Sequence, residues 1–138
     1  MTRKQEIENI IIGTLLNTFE TDWFADCSYC IMADMFADKR NAGIYSAIVE
    51  YRKDGDKSIT PYHLCKFDNV LLSLAGYMTE LAVDYYFLAK KVFYNESVWV
   101  SRQIEGKRYR YTDVTFMDYV AKFLEMVISE RKCQNKPI

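Results

Sequence analysis

A chain of 138 residues, half of them hydrophobic and 27% charged, suits one domain with a single core and reads as globular rather than disordered. Its 18 basic and 19 acidic side chains leave a net charge of -1. That balance gives no general pull toward nucleic acid or anionic lipid, so any such affinity is confined to a local patch.

Two prolines and five glycines are too few for a many-turned β fold and favour long helices. The first predicted helix opens "MTRKQEIENIIIGTLLN". Thr2 supplies the N-cap hydroxyl, and Gln5 is placed to reach back in a capping box. Ile7, Ile11, Leu15 and Thr18 share one face, widened by Ile12 and Leu16. "NTFETDW" breaks the pattern, and a short helix is expected from about Asp22 to Met32. "ADMFADKR" reads as a loop leading into a helix over Asn41 to Lys53. There Ile44, Ala47, Ile48 and Tyr51 form the apolar stripe, and Gly55 of "KDGD" ends it. Thr60 followed by Pro61 is an N-cap with proline at the first helical position, so another short helix starts there.

Two long helical periods fill the second half. One runs through Leu74, Tyr77, Met78, Leu81, Ala82, Tyr85, Leu88, Ala89 and Val92. The other runs through Phe116, Tyr119, Val120, Phe123, Leu124, Val127 and Ile128, with Thr115 and Asp118 as a capping pair. Each would span roughly 30 Å, which predicts an antiparallel helical hairpin. Between them "SVWVSRQIEGKRYRYTDV" alternates as a β-hairpin turning at Glu105-Gly106-Lys107 would; continuation of the first long helix to Gln103 is the alternative. The expected architecture is all-α and single-domain over 1–138. It has a helical head over 1–72, a helical hairpin over 73–132 with an insertion over 83–112, and a short β-hairpin near 98–111.

Little of this carries catalytic chemistry. Gly106-Lys107 lacks the upstream glycine and following hydroxyl of a phosphate loop, and no Gly-x-Ser-x-Gly elbow exists. The expectation is a non-enzyme with no catalytic residue and no cofactor. His63 is the only histidine and sits beside a helix start, where a cap or surface role is the usual one. Cys27 and Cys30 have the two-residue gap that lets both thiolates grip one tetrahedral ion, and His63 with Cys65 could complete a zinc set. The competing reading makes Cys30 and Cys65 small buried apolar residues. A redox Cys-x-x-Cys finds no βαβ context here. Asp34 with Asp38, and Asp54 with Asp56, fit caps and turns better than acid–base work. The run "RQIEGKRYRY" is the strongest local hint of nucleic acid: Arg102, Lys107, Arg108 and Arg110 supply charge, and Tyr109 and Tyr111 could stack on bases. The N-terminus lacks a signal peptide's apolar core, and no window approaches a membrane span. A cytoplasmic protein with reduced thiols and no membrane contact is therefore expected.

A set of motifs gives a further lead. "EIENIIIGTLLN", "DMFADKRNAGIYSAIVEYRKDG", "SITPYHL" and "GYMTELA" follow one another between Glu6 and about Ala82, and "TFMDYVAKFLEMVISERK" closes the series. In order and spacing they resemble the N-terminal domain of the DnaB-type hexameric replicative DNA helicases. That family shows "GxLL", a "DxF" turn, "IYxAIxxLxxxG", a helix start before a leucine, and "YLxELA" in this order. Asn41 stands where the family commonly has histidine, and residues 83–112 have no counterpart. The resemblance implies a non-catalytic interaction module of DNA replication: an all-helical head and hairpin that pairs with a second copy and meets helicase, primase or loader proteins. It places the partner interface on Leu74, Tyr77, Met78 and Leu81 of one arm, and on Phe116, Tyr119, Val120, Phe123 and Val127 of the other. The alternative is a small nucleic-acid-binding regulator using residues 102–111, which would make DNA a partner.

Overall fold

The computed structural model describes residues 2–17, 28, 30–53, 58–86, 99–104 and 107–133, and of residues 99–117 the backbone only. Among the described residues five α-helices are delimited, in order: α1 (Arg3–Leu15), α2 (Lys39–Tyr51), α3 (Pro61–Phe67), α4 (Ala75–Asp84) and α5 (Tyr111–Cys133). Two short 3-10 helices, Ala33–Met35 and Asn69–Leu74, precede α2 and α4. Strands β1 (Trp99–Ile104) and β2 (Lys107–Arg110) form an antiparallel ribbon pairing Trp99 with Arg110 and Ile104 with Lys107. The fold is all-α with that ribbon before its last helix. Among the described residues no helix is long and apolar enough to cross a membrane.

The local signals are largely realised. Thr2 caps α1, its Oγ1 accepting from the Gln5 amide at 3.1 Å. The Gln5 side chain does not complete a capping box; it donates to Asp38 Oδ2 at 3.3 Å, because α2 comes close enough to offer a charged acceptor. Asp38 is the N-cap of α2, its Oδ1 accepting from the Arg40 amide. The helix therefore begins two residues before Asn41. Thr60 caps α3 through the His63 amide, with Pro61 at its start. Asp68 caps a 3-10 helix over Asn69–Leu74 through the Val70 amide, so Leu74 ends that helix rather than opening the long arm, which starts at Ala75. Thr115 and Asp118 lie inside α5 rather than at its start, and Tyr111 opens that helix rather than ending the ribbon. Ile31 and Met32 stand outside any helix. The remainder of the helix expected before them lies almost wholly outside the described residues, as do Thr18, residues 54–57, the tip at 105–106, and Leu88, Ala89 and Val92.

The central element is α1, which lies against α2, α4 and α5. It buries residues around nearly its whole circumference: Ile7, Glu8, Ile10, Ile11, Ile12, Gly13, Thr14 and Leu15. A helix apolar on all sides belongs in the middle of a fold, and the run "IIIGTLL" is that signature. One buried cluster extends from Ile7 to Val127, so head and arms share a core. Within it an aromatic chain links three elements. Tyr45 of α2 packs on Phe36 at 5.2 Å, and Phe36 packs on Phe123 of α5 at 4.9 Å between ring centroids. The Tyr45 hydroxyl donates to the Ile31 carbonyl at 2.8 Å, which satisfies the one polar atom this burial would otherwise strand.

Gly13 sets the closest approach. A Cβ there would stand 2.4 Å from Tyr85 Cδ2 and 2.8 Å from the Leu81 carbonyl oxygen. The glycine of "GTLL" thus lets α1 meet the "TELA" segment of α4 nearly backbone to backbone. Asn17 clamps the junction, its Nδ2 donating to the Gly13 and Ala82 carbonyls, both at 2.9 Å. Gly13→Ala should lower stability by about 1–3 kcal/mol, because overpacking against a carbonyl outweighs the ~1 kcal/mol gain in helix propensity. Urea denaturation would measure it, and an unchanged midpoint would show that α4 can shift away freely.

Candidate partner-binding surface

The polar centre of the molecule is structural. Glu8 is completely buried. Its Oε2 accepts from the Ala37 amide at 2.9 Å and its Oε1 from the Asp38 amide at 3.3 Å. It thus satisfies two backbone donors at the start of α2, where helices have unpaired N–H groups. Lys4 stands 3.4 Å from Glu8 and 3.2 Å from Glu130 of α5, and donates to the Met35 carbonyl at 2.8 Å. Beside them the buried Asn41 donates to Asn9 Oδ1 at 2.9 Å and accepts from the Tyr77 hydroxyl at 2.6 Å. Burial pushes the Tyr77 phenol above its ordinary range, which keeps it a neutral donor. Arg40 covers the Tyr77 ring at 3.9 Å and pairs with Asp38 at 2.8 Å.

Asp38 is the group here with a pH consequence. Its hydrogen bond from the Arg40 side chain, the largest influence, holds the carboxyl below its ordinary 3.8 against the opposing effect of burial. A folded-state value below the unfolded one means stability that is fully present above 3.8 and lost as pH falls through the folded value. Asp38→Asn keeps a capping oxygen but removes the titration. Between about pH 5 and pH 2 its melting temperature should therefore fall less steeply than the wild type's. Parallel slopes would assign the acid loss to other carboxylates.

The proposed zinc ligands are otherwise engaged. Thr60 Oγ1, already accepting from the His63 amide, lies 2.6 Å from His63 Nδ1. One of the two groups donates to the other, so Nδ1 is engaged within the helix cap. Cys65 donates weakly to the Leu71 carbonyl at 3.7 Å, and Cys30 is exposed rather than buried. Cys27 lies outside the described residues. Among the described residues no group of three or more His, Cys, Asp or Glu could hold a metal ion.

The expected interface residues take a different role. Met78, Leu81, Val120, Phe123 and Val127 are buried, and Leu74, Tyr77 and Tyr119 are partly buried against them. They form the core around α1 rather than an open flank, because α1 lies against both arms and takes up their apolar stripes. The side chain of Phe116 lies outside what is described, as do those of Arg102, Lys107, Arg108, Tyr109, Arg110 and Tyr111.

Among the described residues, most of the exposed large apolar side chains fall instead within residues 61–86. Helix α3 buries only Leu64, and the 3-10 helix after it only Leu71. With three residues per turn, a 3-10 helix sends most of its side chains away from any one neighbour. Val70 is 79% exposed, Tyr62 68%, Val83 66% and Leu72 60%, with Phe67 and Tyr86 half-exposed. A cleft of about 490 Å³ opens between α3 and α4, lined by Asn17, Thr60, Pro61, Tyr62, Thr79, Ala82, Val83 and Tyr86. A second depression, of about 540 Å³, shares Thr79 and Val83 with it and continues over Ala75, Gly76, Glu80 and Asp84. Sequence reasoning missed this surface because it followed the buried stripe: Val83 and Tyr86 lie off the positions Leu81, Ala82 and Tyr85 that it singled out, and the pattern does not say whether another element covers them. Comparison with known proteins gives no match to a family model, a curated protein or a solved structure.

Proposed function

We propose that this chain is a non-catalytic protein–protein interaction module, acting in DNA replication as its resemblance to the helicase N-terminal domain implies. The observation that carries the reading is the concentration of exposed Tyr62, Phe67, Val70, Leu72, Val83 and Tyr86 within residues 61–86. An exposed apolar surface of that kind marks a site covered by another protein. Contacts between the resemblance motifs add support. Gly13 of "GTLL" meets Leu81 of "YMTELA", and Glu8 of "EIEN" binds the amides of "FADKR". These motifs belong to one packed unit. Self-association and contact with helicase, primase or loader proteins then fall to the exposed residues, because the buried arm residues are already covered.

The test is light scattering over a concentration series. The chain should dimerise, and replacing Val70 and Leu72 together by aspartate should return it to monomer with an unchanged melting temperature. A dimer indifferent to that change, or a chain monomeric throughout, counts against the reading. The arm substitution Phe123→Asp is unsuitable, since a buried carboxylate would unfold the domain.

A second reading, a nucleic-acid-binding regulator, is favoured by one observation. The pairing of β1 with β2 brings Arg102, Lys107, Arg108 and Arg110 into one two-stranded ribbon. Retention on DNA that weakens with salt and disappears when Lys107, Arg108 and Arg110 are replaced would support it.

A further inference from the structure

Helix α4 is built against its own stability on its outer face. Glu80 and Asp84 stand one turn apart with like charge, an arrangement that destabilises a helix by a few tenths of a kcal/mol. Asp84 also occupies the last turn, which holds no basic residue, where the helix dipole favours a cation. Among the described residues neither acid makes an ion pair. Beside these acids Val83 and Tyr86 are held in water. Local violations of this kind, gathered on one face, are characteristic of functional sites.

The geometry points to a binding groove along α4 for a basic amphipathic helix of a partner protein. The proposal rests on the interaction-module reading and names one of its sites. The groove follows α4 from Gly76 to Asp84, about 12 Å of helix, and continues to Tyr86, with Tyr62 lining its far side. At Gly76 a Cβ would meet nothing within 4 Å, so a helix can approach closely at that end. The depression over α4 is lined by two acids, Glu80 and Asp84, and the adjoining cleft by none; neither lining holds a base. A partner helix laying apolar residues on Thr79, Val83 and Tyr62 would bring lysines or arginines one turn apart opposite Glu80 and Asp84. That is helix-in-groove recognition with charge setting its specificity.

The probe is a pair of labelled peptides of about 14 residues, long enough for roughly 21 Å of helix. Both carry leucines at helical spacing; one has lysines on its flanks and the other glutamates. Fluorescence anisotropy on the full chain should show the lysine peptide binding about tenfold tighter, an advantage that shrinks between about 0.05 and 0.5 M salt. Replacing Glu80 by Gln and Asp84 by Asn together should erase the preference, and Val83→Ser should weaken the lysine peptide about tenfold, ~1.4 kcal/mol. All three positions are exposed, so melting temperatures should hold. Equal binding of both peptides, no binding of either, or a preference that survives the double variant would overturn the proposal. So would a self-dimer lost on Val83→Ser, because a second copy would then be the occupant. In that outcome the interaction-module reading stands, while its own failure is read separately from the Val70 and Leu72 variant.

Discussion

Phe123→Ala should lower the unfolding free energy by about 3–5 kcal/mol, the range for emptying a buried aromatic site. The ring is fully buried, packs on Phe36 at 4.9 Å, and has Lys4 Nζ 5.6 Å from its centroid. Removing it therefore opens a cavity where α5, the Phe36 segment and α1 meet, and takes away the apolar cover over the Lys4–Glu8 pair. Ile128 lies five residues further along the same helix but is 40% exposed, so Ile128→Ala should change stability by no more than about 0.5 kcal/mol. Urea denaturation of the two variants measures the contrast. Near-equal effects would mean that α5 is only loosely seated, and would restore an interface role to its arm residues.

Glu8→Ala should also cost about 3–5 kcal/mol, by another route. Truncation leaves the Ala37 and Asp38 amides without their acceptor and takes one carboxylate from Lys4, whose side chain is only 11% exposed. Lys4 keeps Glu130 and the Met35 carbonyl, which sets the loss toward the lower end. Glu8→Gln retains an acceptor and should lose about 1–3 kcal/mol. Denaturation gives the totals, and hydrogen exchange at the Ala37 and Asp38 amides should accelerate in the alanine variant before exchange elsewhere. Uniform acceleration would show that Glu8 acts on global packing rather than on the start of α2.

Both predictions concern residues whose roles differ in how far the chain announces them. Phe123 sits on a clean helical stripe, and its burial follows from periodicity; its contact with Phe36, 87 positions away in the chain, does not. Glu8 carried a legible clue. It lies three, four and seven residues before Ile11, Ile12 and Leu15, on the buried side of α1, and an acid at such a place demands partners. Which partners it finds depends on the turn before α2 reaching it. The exposed patch was the least legible. Val83 and Tyr86 fall between the stripe positions Leu81, Ala82 and Tyr85, so periodicity leaves them off the core face without saying whether another element covers them.

The local signals placed the caps at Thr2 and Thr60, the stripes of α1, α2 and α5, and the all-α class, because capping and helical periodicity are short-range effects written in neighbouring residues. The tertiary arrangement decided that α1 is the hub, that the arm residues seal the core, and that among the described residues most exposed large apolar side chains fall within 61–86. A helical stripe specifies that a face must be covered without specifying which element covers it. That choice falls to contacts between distant segments, such as the bare backbone at Gly13 meeting Leu81.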